Sequence, residues 1–177
     1  MIIGVIPARF ASTRLIGKPL ANIGGKPLIQ HTYESASKSK LIEKVILAVD
    51  DTKVASEARG FGADVMETPN EIASGSDRIA YVARTYKEAE IIVNIQGDEP
   101  LVDFKQLDEL CAAFEDEGVS IATLGIKGVT NEERQNPNRI KIVLDEKSNA
   151  MYFSRSPIPN TDNGNKEIIS EFPFYRH

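Results

Sequence analysis

Through about residue 126, short apolar runs closed by turn residues alternate with segments whose apolar positions recur every three or four residues. Ile2-Ile3-Gly4-Val5-Ile6-Pro7 is short, rich in β-branched residues and ended by proline, as a buried strand would be. Lys44 to Val49 and Ile91 to Ile95 read the same way, and Ala63 to Glu67 gives a shorter strand. Between them the helical period takes over. Pro27 suits a first helical turn, and Leu28, Ile29, Thr32, Tyr33 and Ala36 then share one face of a helix from about Pro27 to Lys38. Thr52 caps a second helix to about Phe61. Ser74-Gly75-Ser76-Asp77-Arg78 opens a third, capped by Ser74 or Ser76, with Ile79, Val82, Ala83 and Tyr86 on one face. Asp103 caps a fourth, in which Leu107, Leu110, Cys111 and Phe114 form an apolar stripe; Gly118 ends it, and Val119 to Ile126 follows as another strand.

Strands alternating with helices predict an α/β fold with a mainly parallel, doubly wound sheet covered on both faces. Ligands of such sheets bind beyond the carboxyl ends of the strands. Arg9 and Asp98 each lie a few residues past a strand end and are expected on one rim. From about Thr130 the texture changes. Arg139 to Leu144 alternates as an exposed strand does, Ala150 to Ser154 is its expected partner, Pro157-Ile158-Pro159 breaks regular structure, and Asn160 to Lys166 is polar. The expected organisation is a core at 1–129 and a small β appendage at 130–177, which would cover the site or pair with another subunit.

Composition narrows the class. A chain of 177 residues with 41% hydrophobic residues can bury a core of its own. No stretch has the length of a membrane span and no leader precedes the first strand, so a soluble, cytoplasmic protein is expected. Cys111 is the single cysteine, which excludes an internal disulfide and fits a reducing compartment; its place on an apolar stripe makes it a core residue. Net charge is −5, yet Arg9, Arg14, Lys18 and Lys26 precede the first acid, Glu34. An acidic protein with a local cationic mouth suits a small anion better than a nucleic acid.

The segment Arg9-Phe10-Ala11-Ser12-Thr13-Arg14-Leu15-Ile16-Gly17-Lys18-Pro19 carries most of that charge. With small residues and a glycine directly after a strand, it reads either as a loop that faces a polyphosphate or as a solvated basic loop. It has neither the Walker A spacing nor the three glycines of a dinucleotide fingerprint. Asp98, directly after the apolar strand at 91–95, either caps a turn or offers one carboxylate to a hard divalent cation that takes its other ligands from phosphate. Taken singly, Asp50-Asp51 reads as a strand-end cap, His31 as structural, Arg155 as a surface cation, and His177 has no role of its own. There is no Cys/His cluster for zinc and no Ser-His-Asp arrangement.

Taken together, these segments resemble a known family. Arg9 to Pro19 is similar to the signature of the sugar-activating cytidylyltransferases, in particular the 3-deoxy-manno-octulosonate (Kdo) cytidylyltransferase or CMP-Kdo synthetase family, which opens with a strand, I-P-A-R and then S-T-R-L-P-G-K-P. Ile16 stands where that family usually has proline. Gln96-Gly97-Asp98-Glu99-Pro100 matches its Q-G-D-E-P, and Ser74 to Arg78 its S-G-T-x-R, with Ser76 in place of threonine. Asn136 to Lys141 and Tyr152 to Pro159 match further segments, and His177 falls at the histidine of R-H-x-G-[IV]-Y. The resemblance implies a nucleotide-diphospho-sugar transferase-like fold and transfer of CMP from CTP to Kdo with release of pyrophosphate, for lipopolysaccharide synthesis. It implies Mg²⁺ on Asp98; Arg9, Lys18 and Asp98 as catalytic residues; Arg9, Ser12, Arg14, Lys18, Ser74 and Arg78 at the nucleotide; and Gln96, Arg155 and His177 at the sugar. It further implies a homodimer formed through the appendage, with neither nucleic acid nor membrane as partner. The alternatives are the same reaction on 8-amino-Kdo or another acid sugar, or a nucleotide-binding fragment without catalysis. Family members continue past the residue matched by His177, with a second acidic metal ligand, so a truncated chain is expected.

Overall fold

The computed structural model describes residues 1–11, 15–127, 130–158 and 175–176. The chain divides into two compact units, Met1–Ser120 and Ile121–His177, a boundary earlier than the 129/130 read from texture.

The first unit opens with β1 (Ile2–Ala8), followed by a two-stranded ribbon, β2 (Asn22–Ile23) and β3 (Lys26–Pro27), and helix α1 (Leu28–Ala36). Next come β4 (Lys44–Val49), α2 (Thr52–Gly60), β5 (Asp64–Glu67), α3 (Gly75–Thr85), β6 (Ile91–Asn94) and α4 (Phe104–Ala112). Four strands pair in parallel in the order β5-β4-β1-β6, with Val5 beside Ile46 on one flank and Asn94 on the other. The two central strands, β1 and β4, are buried along nearly their whole length, as apolar runs covered on both faces are, whereas the flanking β5 and β6 are only partly covered. Ile3, Val5, Ile46 and Ala48 pack beneath Ile79 and Val82 of α3, whereas Ile6, Ala8, Leu47 and Val49 pack against Ile29 of α1, Val54 and Ala58 of α2, and Leu107 of α4. The sheet is therefore doubly wound, with one helix on one face and three on the other.

The caps refine the sequence reading. Asp51, and not Thr52, caps α2, its carboxylate accepting from Lys53 N at 2.7 Å and Val54 N at 3.4 Å; Thr52 is the first helical residue. Ser74 caps α3 by accepting from Asp77 N at 3.0 Å, and Asp103 caps α4. Cys111 is buried in the core, where burial and then the nearby Asp108 charge push its thiol upward, away from nucleophilic use.

The strand expected over Val119 to Ile126 does not form over that range. Only β7 (Ile126–Lys127) is extended and paired, and Ile121 is 90% exposed. An apolar run becomes a strand only where a neighbour supplies a ladder, and none lies beside residues 119–125 among the described residues.

The second unit adds α5 (Asn131–Gln135), β8 (Lys141–Leu144), β9 (Ala150–Ser154) and β10 (Tyr175–Arg176) to β7, in an antiparallel sheet ordered β7-β10-β8-β9. Phe153 stands opposite Ile142, so the expected pairing of the two alternating segments forms. A reciprocal capping box between Thr130 and Glu133 starts α5, which the sequence reading passed over. Inside the unit the Lys141 ammonium, 1% exposed, donates to three carbonyls, those of Asn136 (3.0 Å), Arg139 (2.7 Å) and Arg155 (2.6 Å). Pro159 and the polar segment Asn160 to Lys166 lie outside the described residues. No helix among the described residues is long and apolar enough to cross a membrane.

Candidate active site

β1 enters the middle of the sheet first; the chain then winds outward through β4 and β5 and returns to β1's other flank as β6. The winding order therefore reverses at β1, and doubly wound sheets place ligands beyond the carboxyl ends of the strands at such a reversal.

Two chain segments converge on it. From β1 the chain leaves at Arg9, and further along the amide of Gly17 donates to the Phe10 carbonyl at 2.9 Å. Gly17 closes the loop with φ of +71°, in the left-handed region where a side chain is strained, and a single 3₁₀ turn over Lys18–Leu20 follows, with Pro19 buried beneath it. From β6, Ile95 extends the ladder by donating to Val5 O at 3.0 Å, and Gly97 passes hard against β1. Asp98 thereby reaches Lys18, whose ammonium donates to Asp98 Oδ2 at 2.5 Å. Arg9, Lys18, Gln96, Gly97 and Asp98 line a cleft of about 350 Å³. The expected common rim for Arg9 and Asp98 is present.

Arg9 is 43% exposed along its side chain; its Nη1 donates to Ala73 O at 2.7 Å, and its Nε lies 3.8 Å from Asp50 Oδ2. Asp50 also accepts from Phe10 N on Oδ1 at 3.0 Å and from Arg78 Nη2 on Oδ2 at 3.1 Å. Arg78 differs from Arg9 in being fully buried. Its guanidinium also donates to the Thr68 hydroxyl and to Ile72 O, while the Thr68 hydroxyl donates to Val49 O. Burial draws the Arg78 pKa down, the Asp50 carboxylate opposes this, and the neighbouring Arg9 charge adds to the lowering.

The residues picked from sequence thus separate. Arg9, Lys18, Gln96 and Asp98 meet at the cleft; Gln96 is exposed and donates its amide to Asn94. Ser74 and Arg78, expected at the nucleotide, are not among the residues lining it. The Ser74 hydroxyl is engaged with Asp77, donating to its carboxylate at 2.6 Å. Arg155 is exposed in the second unit and donates to Pro137 O at 3.1 Å. Ser12, Arg14 and His177 lie outside the described residues. Sequence reading missed the part played by Asp50, because an acid after a strand looks alike whether it caps a helix, as Asp51 does, or receives a buried arginine.

Among the described residues no three His, Cys, Asp or Glu side chains gather as a metal cage. Asp98 is the acid that lines the cleft, half exposed, and a single carboxylate beside a cationic loop fits a hard cation that completes its shell with phosphate oxygens and water. A second cleft of about 420 Å³ lies between α1 and the start of α4 and is lined by none of Arg9, Lys18, Gln96 and Asp98.

The chain is 43% identical to the 3-deoxy-manno-octulosonate cytidylyltransferase of Syntrophobacter fumaroxidans, over 92% of this chain and 66% of that protein. It is 41% identical to the 8-amino-3,8-dideoxy-manno-octulosonate cytidylyltransferase of Shewanella piezotolerans, over 98% and 70%. Among solved structures it superposes on a CMP:2-keto-3-deoxy-manno-octonic acid synthetase complexed with CTP, with a TM-score of 0.92 and 37% identity, covering 99% of this chain and 70% of that one. The chain spans about two thirds of the length of the curated relatives it matches. The cytidylyltransferase family model matches residues 3–177, through both strand-end segments of the cleft, and the chain belongs to that family.

Proposed function

We propose that the cleft binds CTP and that the protein transfers its CMP group to the hydroxyl of an acid sugar, Kdo, giving CMP-Kdo and pyrophosphate. One observation carries the reading: Lys18 and Asp98, of opposite charge, face each other at the switch point between β1 and β6 with Arg9 beside them. The relatives' names and the CTP in the superposed structure support the choice of nucleotide and sugar.

In this reaction the sugar hydroxyl oxygen bonds to the α-phosphorus, the bond from that phosphorus to the bridging oxygen breaks in line, pyrophosphate leaves with the electron pair, and the hydroxyl proton passes to solvent. The protein positions the groups and stabilises charge. An arriving triphosphate takes the Lys18 ammonium over from Asp98. Arg9 and Lys18 then hold the phosphates, with Ser12 and Arg14 assigned to the same loop, and Ser74 and Arg78 assigned to the nucleotide segment through the start of α3. The Asp98 carboxylate is the group that would hold Mg²⁺, which would neutralise charge on the phosphates. Gln96, Arg155 and His177 are assigned to the sugar, Arg155 to its carboxylate.

By the same reading the protein works in the cytoplasm as a homodimer and its product feeds lipopolysaccharide synthesis. The exposed Met151, Tyr152 and Phe153 on β9 support a pairing surface. The Shewanella relative favours a second reading of the sugar, 8-amino-Kdo.

The test is pyrophosphate release with Mg²⁺, offering CTP or UTP against Kdo and 8-amino-Kdo. Turnover with CTP and one sugar is expected, together with its loss by a factor on the order of 10²–10³ or more in Lys18→Ala and in Asp98→Ala, both still folded. Full activity in either variant would refute the assignment. CTP binding without turnover on any sugar would reduce the function to nucleotide binding.

A further inference from the structure

We infer that Asp50 is a positioning residue for the anion site: it acts through Arg9, holding both the backbone and the guanidinium at the root of the loop from a buried arginine below. The inference rests on the nucleotide reading above for its ligand, and on this chain's contacts for its geometry. Asp50 Oδ1 takes the Phe10 amide at 3.0 Å, and Oδ2 takes Arg78 Nη2 at 3.1 Å while lying 3.8 Å from Arg9 Nε. The carboxylate is 8% exposed and Arg78 is wholly enclosed, clasped in addition by Thr68 and the Ile72 carbonyl. Arg78 therefore has nowhere to turn and fixes Asp50, which fixes the loop where it leaves β1. Arg9, anchored on its other side by Ala73 O at 2.7 Å, is left with donors for the cleft it lines.

Only a carboxylate serves here. All the groups around Asp50 are donors: one amide N–H and two guanidinium groups. An asparagine, whichever way its amide is turned, points an NH₂ at one of them. Asp50 also separates two like charges, since Arg9 and Arg78 share one oxygen, and without it they would confront each other. Two effects of removing it oppose one another at the ligand. Loss of a negative charge makes the site more cationic and tightens polyphosphate binding at long range; loss of placement loosens it. The sign of the change distinguishes positioning from charge alone.

The experiment is calorimetric binding of CTP with Mg²⁺ to the wild-type chain, Asp50→Asn, Arg9→Met and the double variant, with Asp50→Glu as the variant that keeps the charge and displaces it by one methylene. Asp50→Asn and Asp50→Glu are each expected to loosen CTP on the order of tenfold, an effect that largely disappears in the Arg9→Met background because the two residues act as a unit. Unchanged or tighter binding in both, or an equal loss with and without Arg9, would overturn the inference. A second measurement needs no nucleotide: the arginine Nε–Hε resonances of the free protein. The distinct Arg9 signal is expected to collapse toward that of a free side chain in either Asp50 variant, and its persistence would overturn the inference too. If the wild-type chain binds no CTP, the nucleotide reading fails while the arginine resonances still decide the part played by Asp50.

Discussion

Gly97 stands so close to β1 that a β-carbon placed on it would meet the Pro7 carbonyl oxygen at 2.9 Å and the Ile6 side chain at 3.4 Å. A backbone oxygen inside a ladder cannot swing aside, so Gly97→Ala forces the two strand ends apart. The expected cost is about 1–3 kcal/mol in urea unfolding, with an unchanged m-value, and CTP binding weakens as Asp98 moves from Lys18. Gly4 provides the control: its nearest neighbour, also at 2.9 Å, is the movable Cδ1 of Ile95, and Gly4→Ala should cost less. Equal losses at the two sites would argue against a rigid contact. At this scale Arg9, Lys18 and Asp98 were legible in the sequence, since unbalanced charge directly after an apolar strand has few structural uses. Asp50 was less so. Its signal was there: Arg78 stands one residue before Ile79 and four before Val82, on the buried stripe of α3, and a cation inside a core requires an acid.

Asp108 joins α4 to the turn that leaves α1. One oxygen of its carboxylate accepts from the Ser39 hydroxyl at 2.5 Å and the amides of Lys40 at 2.9 Å and Leu41 at 3.3 Å. The Ser39 hydroxyl first, then the Leu41 and Lys40 amides and the Lys40 charge, hold the carboxyl below the ordinary aspartate range against the cost of desolvation. A carboxyl whose folded pKa is depressed contributes stability that is present above its unfolded value near ~3.9 and is lost as pH falls through the folded pKa. Asp108→Asn is accordingly expected to lower stability at pH 7 by about 1 kcal/mol and to unfold less steeply in acid, the two proteins converging below the folded pKa. Parallel urea titrations at pH 7 and at low pH check this; a constant difference at every pH would remove the carboxylate from the explanation. Long buried elements were readable because every position repeats the same message. The β2–β3 ribbon and α5 are too short for a period to develop, and residues 119–125 show the converse failure, an apolar run without a partner strand.

Each of the two units has a centre of its own, and in the second it is cationic. Burial lowers the Lys141 pKa, with the charges of Arg155 and Arg134 adding to the effect, while its three donors hold the strand ends together through three carbonyls. Lys141→Met fills much of the same space but leaves those carbonyls without their donor. Amide exchange should accelerate across β8 and β9 and stay unchanged in β1 and β4, as read by hydrogen exchange with mass spectrometry. Acceleration spread evenly over both units would show that they unfold together. At this scale the sequence disclosed the α/β core and the family, through motifs falling in order at strand ends; its boundary at 129/130 differs from the division after Ser120 because the apolar residues at 119–126 read as one more core strand.

The order of strands has a consequence in time as well as in space. β1 is made before both of its neighbours, and β6 is the last of the four paired parallel strands to emerge among the described residues. Until then the nascent chain carries Lys18 beside an open edge, without the acid it pairs with in the folded protein. β6 closes that edge and delivers Asp98 in one step, so the cleft cannot be assembled ahead of the sheet, and a chain stalled before residue 98 has no site to expose.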